Sequence, residues 1–170
     1  MNLSLRTIRF VILLLAGLAA IFLNQKMNGF SALFAISLSI SAALTVIFLF
    51  LNFDKQINDK VIMELIADGF AGIVLFTYPQ SDERFFLIVF SFWIAWMGIL
   101  YLTSGLLDKK NEKMMWLYTL IGIMLIILGF VILNYSTEML SSVIYLVGFT
   151  LIIYSSLGFY SNLLRKSKNA

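Results

Sequence analysis

The sequence has no cysteine, no histidine and one proline, and only 12% of its 170 residues are charged. Without cysteine there are no disulfides, thiolate nucleophiles or cysteine metal sites. Without histidine there is no imidazole base and no histidine-ligated haem. A single proline leaves long stretches uninterrupted for helix formation. The scarcity of charge excludes most, because soluble domains carry about 25% charged residues. Here 61% of residues are hydrophobic and the mean hydropathy is +0.97. Such a chain cannot cover its surface with polar groups in water, which excludes an ordinary soluble enzyme, a disordered chain and a nucleic-acid binder. The net charge of +3 comes from 12 basic residues set against 9 acidic ones. The basic residues stand mostly at segment ends, not along a groove. No phosphate-binding glycine loop, serine nucleophile motif or metal-ligand spacing is present. The expectation is a non-enzyme without cofactor or metal, whose first partner is the lipid bilayer.

What the sequence has in abundance is long apolar runs. A bilayer core about 30 Å thick needs about 20 apolar residues of helix to cross it. Six runs approach or exceed that: Ile8–Leu23, Phe30–Leu51, Val61–Tyr78, Phe85–Leu107, Met114–Leu133 and Met139–Leu164. Polar or charged breaks separate them. In lipid every backbone amide needs a partner within its own segment, so helices are expected. A β-barrel would need alternating strands, and runs such as Leu120–Leu133 do not alternate. The first run also has some features of a signal peptide, with Arg6 and Arg9 ahead of apolar residues. Its end, Asn24-Gln25-Lys26, offers no clear small-residue cleavage site, so an uncleaved first helix is expected.

Lysine and arginine placement sets orientation. With a cytoplasmic N-terminus, the inner segments hold Arg6, Arg9, Lys55, Lys60, Lys109, Lys110, Lys113, Arg165, Lys166 and Lys168, and the outer loops only Lys26 and Arg84. This predicts an even number of spans with both termini in the cytoplasm.

Glycine marks a repeat. Ala16-Gly17-Leu18-Ala19, Ala71-Gly72-Ile73-Val74 and Leu128-Gly129-Phe130-Val131 recur at spacings of 55 and 57 residues. Each is followed by a polar break at Asn24, Pro79 or Ser136, although any chain of evenly spaced apolar helices shows some periodicity. The fold class expected is an all-α membrane protein, six transmembrane helices arranged as three tandem two-helix hairpins, about 7–52, 61–108 and 113–164, within one membrane domain over 1–170. Gly69 with Gly72, Gly98 with Gly105, Gly122 with Gly129, and Gly148 with Gly158 are expected to be close-packing positions. Gly17, Gly72 and Gly129, the Tyr78-Pro79 turn, and the returning patterns Trp96-Met97-Gly98-Ile99 and Leu146-Val147-Gly148-Phe149 together resemble the HdeD family of bacterial inner-membrane proteins. That family is built from a short two-helix repeat of unknown function. The resemblance implies a role in acid or envelope stress, and it carries over no catalytic residues.

Charge inside a bilayer is costly, so each such residue is a functional candidate. Asp68 is the one expected well inside, seven residues along from Val61. Lys60, Glu64 and Asp68 are spaced i, i+4, i+8 and share a helix face. Counting from the cytoplasmic ends places Thr45, Tyr101, Ser155 and Ser156 at similar depth, with Ser41 on the face of Thr45. Asp68, Glu64, Thr45 and Tyr101 are therefore the candidate binding or proton-titratable residues. The bland alternative is an acid bonded to hydroxyls as helix–helix glue. Trp93 and Trp96 lie mid-segment, where an indole N–H wants a partner, and both are expected to pack inward. Trp116, Tyr118, Tyr78, Tyr135 and Tyr160 are expected at the interfaces. Two functions follow. One is a non-enzymatic membrane protein acting through lipid, a homo-oligomer or a membrane-protein partner. The other is a small solute or proton-coupled transporter using Asp68.

Overall fold

The computed structural model describes residues 3–22, 27–52, 59–78, 83–107, 112–135 and 140–168. Among the described residues there are six helices: α1 (Leu3–Phe22), α2 (Met27–Leu51), α3 (Asp59–Thr77), α4 (Glu83–Leu107), α5 (Glu112–Leu133) and α6 (Leu140–Lys168). Each coincides with one apolar run to within about a turn and a half, so the all-α expectation holds. Polar residues within the helices largely satisfy themselves. The hydroxyls of Ser37, Ser39, Thr45, Thr103, Ser104 and Thr150 each donate to a carbonyl one turn back. That bonding lets serine and threonine occupy apolar segments without exposing a donor to hydrocarbon.

Among the described residues, four stretches are long and apolar enough to cross a bilayer: Gly29–Leu51, Glu83–Leu106, Met115–Leu133 and Val143–Ser161. They are compatible with an integral membrane protein. The two helices outside this set are α1, whose apolar stretch Thr7–Phe22 is shorter, and α3, which carries Asp59, Lys60, Glu64 and Asp68.

The helices form a closed ring in chain order. Each packs on its neighbours in sequence, and α6 returns to α1. The most extensive contacts join α4 to α5, α1 to α6 and α2 to α3, while contacts within the expected hairpins are smaller. Glycine explains the difference. A methyl group on Gly98 would meet the carbonyl oxygen of Gly122 at 2.8 Å, and one on Gly17 would meet that of Gly148 at 2.9 Å. On Gly72 it would meet Ser39 Oγ at 3.0 Å, and on Gly129 the Ser91 carbonyl oxygen at 2.9 Å. The repeat-marking Gly17, Gly72 and Gly129 thus occupy matching places, each against the helix that precedes its own around the ring. Gly69 departs from expectation: nothing approaches its missing side chain within 4 Å. It lies three residues from Gly72, about 60° away around the helix, which turns it off the contact that Gly72 makes with α2.

Aromatic side chains fill the interior. Ring contacts run from Phe30 and Phe34 through Phe86, Phe90 and Trp93 to Tyr154, Tyr101 and Tyr118. Tyr118 is therefore buried, not interfacial as its place near a segment end suggests. Trp116, Tyr78 and Tyr160 are exposed. Trp96 is 41% exposed, against expectation; the inward place at mid-depth goes to Trp93, one turn earlier on the same helix and 3% exposed. The side chains of Arg6, Lys26, Lys55, Lys109, Lys110, Lys113, Arg165, Lys166 and Lys168, on which the expected orientation rests, lie outside the described residues, as does Pro79. Arg9 is described, and it is no surface marker: it is 2% exposed.

Candidate functional site

The site grows from the polar face of α3. Residues four apart on a helix stand one above the other, so Lys60, Glu64 and Asp68 form a column leading into the ring. Glu64 and Asp68 are both buried, Asp68 completely. Two carboxylates at this spacing repel each other, and burial raises the cost. Arg9, near the start of the apolar part of α1, resolves the conflict.

Its guanidinium spans both acids. Nε donates to Asp68 Oδ2 at 3.0 Å and Nη2 to Oδ1 at 3.2 Å, while Nη1 donates to Glu64 Oε2 at 2.8 Å. The planar fork suits this geometry in a way a lysine would not. Two further donors complete Asp68: Ser41 Oγ of α2 bonds Oδ2 at 2.5 Å, and Trp93 Nε1 of α4 bonds Oδ1 at 2.9 Å. Each carboxylate oxygen therefore accepts two hydrogen bonds. Arg9 Nε also donates to Ser41 Oγ at 2.9 Å. Met97 Sδ receives the Tyr154 hydroxyl at 3.4 Å and lies 4.0 Å from Arg9 Nη2. The guanidinium rests near the rings of Phe10 and Tyr154, 5.4 and 5.9 Å from their centroids.

A second cation closes the charge balance. Lys60 Nζ lies 3.9 Å from Glu64 Oε1, and 3.6 and 5.5 Å from the ring centroids of Tyr101 and Tyr118. Two cations thus face two carboxylates, and every helix of the ring supplies at least one residue to the assembly. Such an arrangement can lock helices together. Asp68 has no exposed surface against which a reactant could lie.

Of the expected site residues, Glu64 and Asp68 come together. Thr45 is buried one turn from Ser41, but its hydroxyl donates to the Ser41 carbonyl at 2.9 Å, not to Asp68. Tyr101 meets the cluster through Lys60. Ser155 Oγ is buried with no hydrogen-bond partner among the described residues, and Ser156 is exposed. Asp68 is not the sole deep charge, as expected from sequence; Arg9 is its counterpart, and counting Arg9 as a topology marker concealed it. One signal was present. A helix face carrying two acids at depth requires a cation, and Arg9 already lies within the first apolar run. Trp93 was legible, since its indole N–H needed a partner at that depth.

The model of a short repeat of unknown function (DUF308) matches residues 66–134 and 120–170. No curated protein and no solved structure matches the chain. Asp68, Trp93, Met97, Tyr101 and Tyr154 lie within the matched stretches, while Arg9, Ser41 and Glu64 lie outside them. Together the two stretches run over well more than half of the chain, which therefore belongs to the DUF308 family of short repeats of unknown function, the family that includes HdeD-like proteins.

Proposed function

We propose that this is a non-enzymatic, multi-pass protein of the bacterial inner membrane, of HdeD type, with six crossings, three hairpins and both termini in the cytoplasm. It serves tolerance of acid or envelope stress, acting on lipid, as a homo-oligomer or with a membrane-protein partner. Its interior charge cluster is a latch. The pairing of the two marginal helices supports six crossings. The cation of α1 and the acids of α3 meet inside the ring, so neither helix presents those charges to hydrocarbon. The single observation that carries the latch is the saturation of Asp68, with two donors on each oxygen and no exposure.

The latch can be tested by removing its charges and its indole donor together. A buried ion pair can often be replaced by apolar groups without loss of stability. Leucine is already used at the repeat-equivalent positions Leu13 and Leu125. The combined variant Arg9→Met, Lys60→Met, Glu64→Met, Asp68→Leu, Trp93→Phe should accumulate in membranes and support acid survival as the unaltered protein does. Normal accumulation with lost survival would overturn the latch in favour of a second reading, a proton-coupled permease using Asp68. One observation favours that alternative: with two carboxylates around Arg9, a proton can enter without leaving the guanidinium unpaired. Its signature would be substrate-dependent flux in proteoliposomes that Asp68→Asn abolishes.

A further inference from the structure

The helices α3 and α4 share one of the smaller contacts around the ring and part to leave a groove of about 450 Å³ on the outside of the bundle. The lining is entirely isoleucine, alanine, phenylalanine, valine and tryptophan. Along α4 it extends from Phe85 to Trp96, about 16 Å at 1.5 Å per residue. A trough of this length and wholly apolar lining suits a single hydrocarbon chain. Arg84, exposed, stands one turn before the groove-lining Ile88 on the same face of α4. A cation at the end of an apolar trough complements an amphiphile with an anionic head. The trough's inner wall is Trp93, whose indole nitrogen bonds Asp68.

The geometry points to a lipid site: the α3–α4 groove seats one acyl tail of an anionic phospholipid, with its phosphate at Arg84, and the tail packs on the indole that holds Asp68. This rests on the membrane reading above. Contact between tail and indole places a lipid-dependent group at the edge of the ion cluster, so occupancy and the set of Trp93 are linked.

Quenching of tryptophan fluorescence by phosphatidylglycerol brominated at several depths along its tails tests this in vesicles of the full chain. Trp93 is isolated by Trp96→Phe with Trp116→Phe, and Trp116, which is exposed, by Trp93→Phe with Trp96→Phe. Trp93 is 3% exposed, so it should be quenched only if a tail enters the groove. The expected result is quenching of Trp93 at least half as strong as that of Trp116. It should fall at least twofold when Ala67→Phe or, independently, Val89→Phe fills the groove. Arg84→Gln should remove any preference for phosphatidylglycerol over phosphatidylcholine. Quenched Trp116 with unquenched Trp93 would overturn the lipid site and leave the membrane reading standing; neither quenched would remove the membrane reading itself. Quenching of Trp93 that fades as protein is crowded at fixed lipid would assign the groove to a second copy and also overturn the proposal.

Discussion

Arg9 and Asp68 lie 59 residues apart in the chain and meet through two guanidinium nitrogens, one on each carboxylate oxygen, at 3.0 and 3.2 Å. Removing one member of a buried pair leaves the other charged and desolvated, typically at a cost of about 3–5 kcal/mol. Arg9→Met should therefore lower thermal stability in detergent sharply, and Arg9→Lys only partly restore it, because an ammonium cannot span Asp68 and Glu64 as the fork does. Asp68→Leu should be costly alone and much less so beside Arg9→Met, with a coupling of about 1–3 kcal/mol. Additive losses in that cycle would show that the contact contributes no energy of its own.

The indole of Trp93 gives a prediction about hydrogen bonding, separate from charge. Its N–H meets Asp68 Oδ1 at 2.9 Å, and bonds to ionised groups contribute about 1.5–3 kcal/mol. Trp93→Phe keeps most of the ring contacts with Phe34 and Tyr154 and removes the donor. A loss of stability in this range is expected by thermal unfolding. Trp96→Phe, on the exposed side of the same helix, should change stability little. Equal effects at the two positions would mean that ring size, not the donor, matters.

The helices and the column Lys60, Glu64, Asp68 were legible in sequence because both follow from local spacing. The partner of the column was not. Spacing on α3 fixes which α3 residues share a face, but nothing in a single helix states which other helix that face meets. Depth counting failed for the same reason at Thr45: it shares a depth with Asp68, yet Ser41, one turn away, is the residue that reaches the carboxylate. Glycine positions gave the close contacts but not the partners. Gly98 meets Gly122 of the next helix, not the Gly105 of its own helix with which it was grouped. Arg9 was obscured by a rule that holds for loops, where basic residues mark the cytoplasmic side.

The glycine contacts make a paired prediction. A methyl group at Gly98 would meet the backbone of α5 at Gly122, and the reciprocal one at Gly122 would lie 2.7 Å from the Gly98 carbonyl oxygen. Backbone cannot swing aside as a side chain can, so Gly98→Ala or Gly122→Ala should push α4 from α5 and destabilise by about 1–3 kcal/mol. Gly69→Ala meets open space. There the gain in helix propensity should leave stability unchanged or raise it by up to about 1 kcal/mol. Unfolding in mild detergent compares the three variants directly, and a Gly69→Ala as damaging as Gly98→Ala would contradict the packing described.

Lys60 is the outer cation of the cluster, and its removal should act through charge balance as well as through contact. Its ammonium lies 3.6 Å from the centroid of the Tyr101 ring and 3.9 Å from Glu64. A cation over an aromatic face contributes about 0.5–2 kcal/mol. Lys60→Met retains the apolar stem, loses that attraction and leaves one guanidinium to balance two carboxylates. It should destabilise, but less than Arg9→Met, since the Lys60 side chain keeps 14% exposure against 2% for Arg9. Neutralising the surplus acid should compensate. Glu64→Gln added to Lys60→Met should recover part of the loss, whereas Glu64→Gln alone, which leaves the cations in excess, should cost stability. Tyr101→Phe preserves the ring face and should be milder than Tyr101→Leu. If Glu64→Gln fails to recover any of the Lys60→Met loss, the two cations do not share the balancing of the acids, and Arg9 alone holds them.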